Sequence, residues 1–188
     1  MADEESKQEQ QADEEELKSS AVEKVEGDDK LEVAEEDKGP KRFVERGPHV
    51  VQDTVTGLFW MKKDSWQDRS KYLNWHESRD YAELKNIRKI GGFEDWRMPT
   101  IDEVATLYDP ALSNVAKGGD TIHIDPVFPE GSFKMQWTTS DTSTRRPRYD
   151  YTQGKITQAD EYVFGAVRLV RKESPKRDDR RVRSNQRR

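Results

Sequence analysis

Phe93-Glu94-Asp95-Trp96-Arg97-Met98-Pro99-Thr100-Ile101-Asp102-Glu103 is the stretch whose reading decides the fold. Pro99 drives Met98 toward extended backbone. Thr100 and Glu103 stand at capping-box spacing, so a helix starts at Ile101. Ile101, Val104, Ala105 and Tyr108 then share one face, and Asp109-Pro110 closes the element. An aromatic residue beside a capped helix is normally packing, so Trp96 reads as core. Arg97 reads as the partner of a carboxylate at the helix start, and Glu103 mostly as a cap. The alternative use of Asp95-Trp96-Arg97 is to grip a ligand, with the indole as stacking face and the guanidinium as a fork of donors.

Upstream, Gly91-Gly92 ends an earlier helix. Asn74 and Glu77 make a second capping box, Trp75, Ser78 and Ala82 share a face with Tyr81 at its border, and Leu84 falls off it, which predicts a short helix at about 75–85. Before it, His49–Asp53, the turn Thr54–Gly57 and Leu58–Met61 read as a hairpin. Downstream, 110–134 has little periodicity and reads as a long functional or mobile loop. Short strands are expected at Met135–Thr139, Tyr149–Tyr151 and Val163–Val170, the last a central one. The pattern is thus two short helices set among short strands.

Charge divides the 188-residue chain into three parts. Residues 1–39 hold 16 Asp and Glu against 5 Lys, with no Trp, Tyr or Phe; residues 171–188 hold 9 basic against 3 acidic; the body between is neutral and contains all five Trp. An acidic segment with no aromatic residue and few apolar ones cannot offset its ordering entropy. The expected organisation is a disordered acidic segment 1–42, one domain 43–171 and a disordered basic tail 172–188.

The absence of cysteine excludes disulfides, thiolate metal sites and cysteine nucleophiles. No apolar run reaches the roughly 18 residues of a membrane span, and Met1-Ala2-Asp3-Glu4-Glu5 opens no signal peptide. As written, a cytoplasmic location is expected, and an exported one if a precursor carries a signal missing here.

The series Asp53, Thr56-Gly57-Leu58, Trp60, Trp75, Gly92-Phe93, Asp95 through Thr100, Glu103, Trp137-Thr138-Thr139-Ser140 and Val167-Arg168-Leu169-Val170-Arg171 resembles the Lcl C-terminal domain family, named for a bacterial collagen-like adhesin. The resemblance covers roughly 49–171. It implies an α+β, C-type lectin-like domain, related in fold to the formylglycine-generating enzyme, with two helices on twisted antiparallel sheets and long loops forming a variable ligand face. Thr138-Thr139 stands where the family tends to have two serines. Trp60, Trp75, Trp96, Arg97, Pro99, Thr100, Glu103 and Trp137 are read as structural.

For ligand binding, Arg145, Arg146 and Arg148 with Tyr149 and Tyr151 form the one basic and aromatic cluster inside the domain, on a loop between expected strands. Three guanidiniums there suit a phosphate, a sulfated sugar or a nucleic-acid backbone, and a solvated loop tip accounts for them equally well. Asp120, His123 and Asp125 are a weak metal candidate. The Glu-Pro-Asn and Gln-Pro-Asp triplets of calcium-dependent lectins are absent. His49, His76 and His123 have no metalloprotease spacing, no Ser sits in a nucleophile elbow, and the formylglycine-generating enzyme's paired cysteines are missing. The expectation is a non-catalytic, cofactor-free binding or scaffold module with a protein or polymer partner, its basic tail touching polyanions. The alternatives are an exported glycan- or polyanion-binding adhesin domain and an accessory subunit of a nucleoprotein or large cytoplasmic assembly.

Overall fold

In the computed structural model the described residues are 41–139 and 145–173. The acidic segment and all but the first residues of the basic tail lie outside them.

The body is α+β. A first sheet has the order β1-β2-β3-β9, with β1 Phe43–Glu45, β2 Val50–Asp53, β3 Leu58–Met61 and β9 Val170–Lys172, all antiparallel. The expected hairpin is β2–β3, its turn held by Asp53, whose Oδ1 accepts from the Val55 amide at 3.0 Å. Three helices follow β3: α1 Ser65–Arg69, α2 Trp75–Ile87 and α3 Ile101–Ala105. Next come the two-residue strands β4 Asn114–Val115 and β5 Thr121–Ile122. A second sheet of order β6-β7-β8 holds β6 Met135–Trp137, β7 Arg145–Asp150 and β8 Lys155–Asp160.

Leu58-Phe59-Trp60-Met61 is buried throughout because both faces of the first sheet are covered. Alternate residues serve two cores. Val51, Leu58 and Trp60 meet Val104, Leu107, Ile122, Ile124, Phe128 and Tyr151 on one side. Val50, Phe59 and Met61 meet Leu73, Trp75, Tyr81, Trp96, Met98 and Trp137 on the other. The two-residue period of a strand is what sends neighbours to opposite cores.

Several expectations are corrected. Among the described residues there are three α-helices rather than two. The second runs two residues past 85, and the third stops at Ala105, after which Leu107 and Tyr108 donate back three residues to Val104 and Ala105 in tighter turns. Segment 110–134 is not an unstructured loop: it carries β4–β5, and Ile122, Ile124 and Phe128 are fully buried. Val163–Val170 is not one strand. Only Val170 joins a ladder; before it, Gly165 bridges Leu73, Ala166 accepts from Trp137, Val167 accepts from Ser65 and Leu169 accepts from Met61. The chain there is extended and buried, but its main-chain partners come from several elements, so no single sheet claims it. Finally, Arg145–Arg148 lies in strand β7, not on a loop.

The ends of the body extend slightly beyond 43–171. Arg42 forks onto the buried Asp53 at 3.1 and 2.7 Å, and Lys172 pairs with Leu58 across β3 and β9.

Candidate functional site

A cleft of about 390 Å³ opens between α2 and the segment Trp96–Met98, lined by Trp75, Arg79, Ala82, Glu83, Asn86, Trp96, Arg97, Met98 and Thr139. That volume falls within the roughly 300–1,000 Å³ of small-ligand sites.

Local sequence builds each wall. Asn74 caps α2, accepting from the Glu77 amide while Glu77 accepts from the Asn74 amide. The cap sets Trp75 at the helix start, where its Nε1 donates to the Thr138 carbonyl at 2.9 Å. At the other end of α2, Asn86 grips the backbone of Trp96 in both directions: Trp96 N donates to Asn86 Oδ1 at 2.7 Å and Asn86 Nδ2 donates to the Trp96 carbonyl at 2.9 Å. The connecting chain turns at Gly91, with φ 68° and a site where an added Cβ would lie 2.6 Å from Val50 Cγ2, so only glycine fits. Arg171 holds this connection from outside, donating to Asp95 at 2.6 Å with its guanidinium 3.9 Å from the centre of the Phe93 ring.

The third wall is the stretch that decides the fold. Arg97 pairs with Val170 on the open side of β9, and Pro99 leads into the Thr100–Glu103 capping box. The Arg97 guanidinium meets Glu103 through two bonds of 2.7 and 2.6 Å. Burial works to raise the Glu103 pKa, but the Arg97 bonds and the Thr100 amide outweigh it and hold the carboxyl below its ordinary value. A carboxylate with a depressed native pKa stabilises the fold above its unfolded value, near 4.5, and that contribution is lost as pH falls through the native value. Glu103→Gln is therefore expected to cost about 1 kcal/mol at pH 7 in urea unfolding, the range of a half-exposed ion pair. The gap to the unmodified chain should close as pH drops below 4; a gap constant down to pH 2.5 would show that Arg97 does not depend on this charge.

Beside the cleft, two guanidiniums stand over the indole of Trp75, Arg146 at 4.2 Å and Arg79 at 5.5 Å from the ring centre. Glu161 accepts from Arg146 at 3.1 Å and sits 3.3 Å from His76 Nε2, and these two contacts hold its carboxyl below the usual range.

The cluster foreseen on Arg145, Arg146, Arg148, Tyr149 and Tyr151 is divided by the strand. Tyr149 and Tyr151 are core residues, edge to face at 5.5 Å, and are unavailable to a ligand. Arg148 lies over Trp137 at 5.1 Å, where burial lowers its pKa. Arg146 covers Trp75, and Arg145 is exposed. Trp60, Trp96 and Trp137 are buried in the two cores. Asp120, His123 and Asp125 do not converge: Asp120 pairs with Lys134, His123 Nδ1 lies 2.8 Å from the Leu112 carbonyl, and Asp125 accepts from the Val127 amide. Among the described residues no group of three or more His, Asp and Glu side chains is placed to hold a metal ion, and no helix is long and apolar enough to cross a membrane.

Sequence reasoning passed over Arg79, Glu83, Asn86, Met98 and Thr139 as site residues. The signal within reach was α2 itself: its capped face names Ala82, and the next positions along the helix name Arg79, Glu83 and Asn86.

A family model described as the Lcl C-terminal domain matches residues 49–171. No curated protein and no solved structure matches the chain.

Proposed function

The chain belongs to the Lcl C-terminal domain family, and from that premise we propose that it is a non-catalytic binding module which docks on a protein or polymer partner through the cleft beside α2. The observation that carries this reading is the make-up of the cleft. Its floor is apolar, from Trp75, Ala82, Trp96 and Met98, and its rim is polar, from Arg79, Glu83, Asn86 and Thr139. An apolar floor with a few fixed polar groups suits recognition.

Its ionisable groups suit recognition better than catalysis. Arg97 is tied to Glu103, whose carboxyl it holds below its ordinary pKa, and Arg79 rests over an indole, so both guanidiniums are fixed in place. The α+β body is compatible with the lectin-like architecture that the resemblance implies.

The test is photo-crosslinking from position 83 in native cells, with captured partners identified by mass spectrometry. The captured partner should then lose about tenfold in affinity on Arg79→Glu, a rim charge reversal that leaves melting unchanged. Filling the floor with Ala82→Trp should abolish capture. A partner that tolerates both changes and is captured as well from position 63 docks elsewhere, and the cleft reading falls.

A further inference from the structure

Strand β8 has one unused side. It pairs with β7 along its full length, Arg145 with Asp160 through Asp150 with Lys155, one residue to one and without a bulge. Among the described residues, the main-chain groups of Lys155–Ala159 have no partner beyond that ladder, and Asp160 turns inward on Tyr162 and Val163. The other sheet margins are shorter or covered. β1 has three residues, β9 is bridged by Arg97, and β6 is bridged by Ala166.

Open edges in soluble proteins are normally guarded by a central lysine, a proline or a bulge. Lys155-Ile156-Thr157-Gln158-Ala159-Asp160 has none of these, since its charges stand only at the two ends. The apolar surface is concentrated here as well. Of seven exposed large apolar side chains among the described residues, four are Ile156, Tyr162, Val163 and Phe164, on this strand and the turn that follows it.

We propose that this edge is a self-association surface, to which a second copy of the chain adds its own β8, antiparallel, about a two-fold axis through Gln158. A two-fold axis perpendicular to the sheet keeps the faces in common, so only residues of like parity stand opposite each other. Centred on Gln158, Thr157 faces the partner's Ala159 and Ile156 faces the partner's Asp160, and Lys155 comes to the acidic end of the partner's strand; Glu161 there is already held by Arg146 and His76, so Asp160 is the carboxylate that meets the lysine. Each copy thus covers the other's exposed isoleucine and supplies a carboxylate for the other's lysine. A centre at Thr157 would set Lys155 against Ala159 and leave Asp160 beyond the partner's strand, so the centre at Gln158 is the one that keeps this carboxylate within the ladder. The surface is self-complementary, which favours a second copy over an unrelated extended peptide.

The absence of cysteine makes the test direct. Opposed Cβ atoms on the axis stand about 4.5–5.5 Å apart, close to disulfide reach. Gln158→Cys should therefore give a covalent dimer under mild oxidation, while the exposed control Lys63→Cys remains monomeric. Sedimentation equilibrium of the unmodified chain should show a monomer–dimer equilibrium, and Ile156→Lys, with unchanged melting, should weaken it at least tenfold. The proposal is overturned by a monomer across the whole concentration series, by a dimer indifferent to Ile156→Lys, or by Gln158→Cys oxidising no faster than the control. Binding of an added extended peptide along β8 by a chain that stays monomeric would equally overturn it.

Discussion

Trp96→Ala is expected to destabilise the body by about 3–5 kcal/mol in urea unfolding, the range for deleting a buried indole. Trp96 is 2% exposed, packs edge to face on Phe93 at 6.0 Å, and donates from Nε1 to the Ile90 carbonyl at 2.9 Å. Alanine leaves a cavity between α2 and the first sheet and takes from the Ile90 carbonyl the nearer of its two donors, leaving the Phe93 amide at 3.3 Å. Trp96→Phe separates the two costs: it keeps most of the packing and loses only the donor, for about 1 kcal/mol. The same indole floors the cleft, so the experiment also distinguishes support from contact. If Trp96→Ala melts like the unmodified chain yet loses its partner, the ring is a ligand surface rather than core.

The cleft was partly legible because its walls rest on local signals. Capping boxes at Asn74–Glu77 and Thr100–Glu103 are two-residue patterns, and both are present with reciprocal bonds. Helix α1 has the same signal, Asp64 with Gln67, but its five residues are too few for an apolar face to show. Strand β7 was hidden by composition. Three arginines and a proline read as a loop, yet Pro147 lies just past the last β6 pair, Trp137 with Arg148, so it costs no bond to that neighbour. The guanidiniums of Arg146 and Arg148 are accommodated over Trp75 and Trp137. What places those rings beneath them lies 60 or more residues away for Trp75, and no local window contains it. Segment 110–134 failed for a related reason: Ile122, Ile124 and Phe128 are buried by contact with the first sheet and α3, not by a period of their own.

The least legible element is the pair of buried charges between the sheets, where the second large effect is expected. Asp64 caps α1 and is fully buried, accepting from the Gln67 amide at 2.9 Å, the Phe133 amide at 2.7 Å and Gln136 Nε2 at 3.0 Å. Arg168 is fully buried too. It donates to the Met61 carbonyl at 2.9 Å, to the Lys62 carbonyl and to Ser132 Oγ at 2.7 Å, with its guanidinium over Phe128. Burial lowers the Arg168 pKa, and Asp64 is the nearby charge that opposes this. The two do not touch: Ser132 and Gln67 stand between them, with Ser132 Oγ donating to Gln67 Oε1 at 3.3 Å. Asp64→Ala should cost about 3–5 kcal/mol, because it strips three donors and leaves a buried cation without its counter-charge. An exposed cap such as Thr100→Ala should cost only about 1 kcal/mol. Asp64→Asn, which keeps acceptors but not charge, should fall between. If the charges cooperate, Asp64→Ala combined with Arg168→Met will cost less than the two changes summed, since the second removes the cation the first had stranded. Additivity within about 0.5 kcal/mol would instead mean that Asp64 acts only as a cap and hydrogen-bond acceptor. Arg168 would then rest on its carbonyl partners and the Phe128 ring alone.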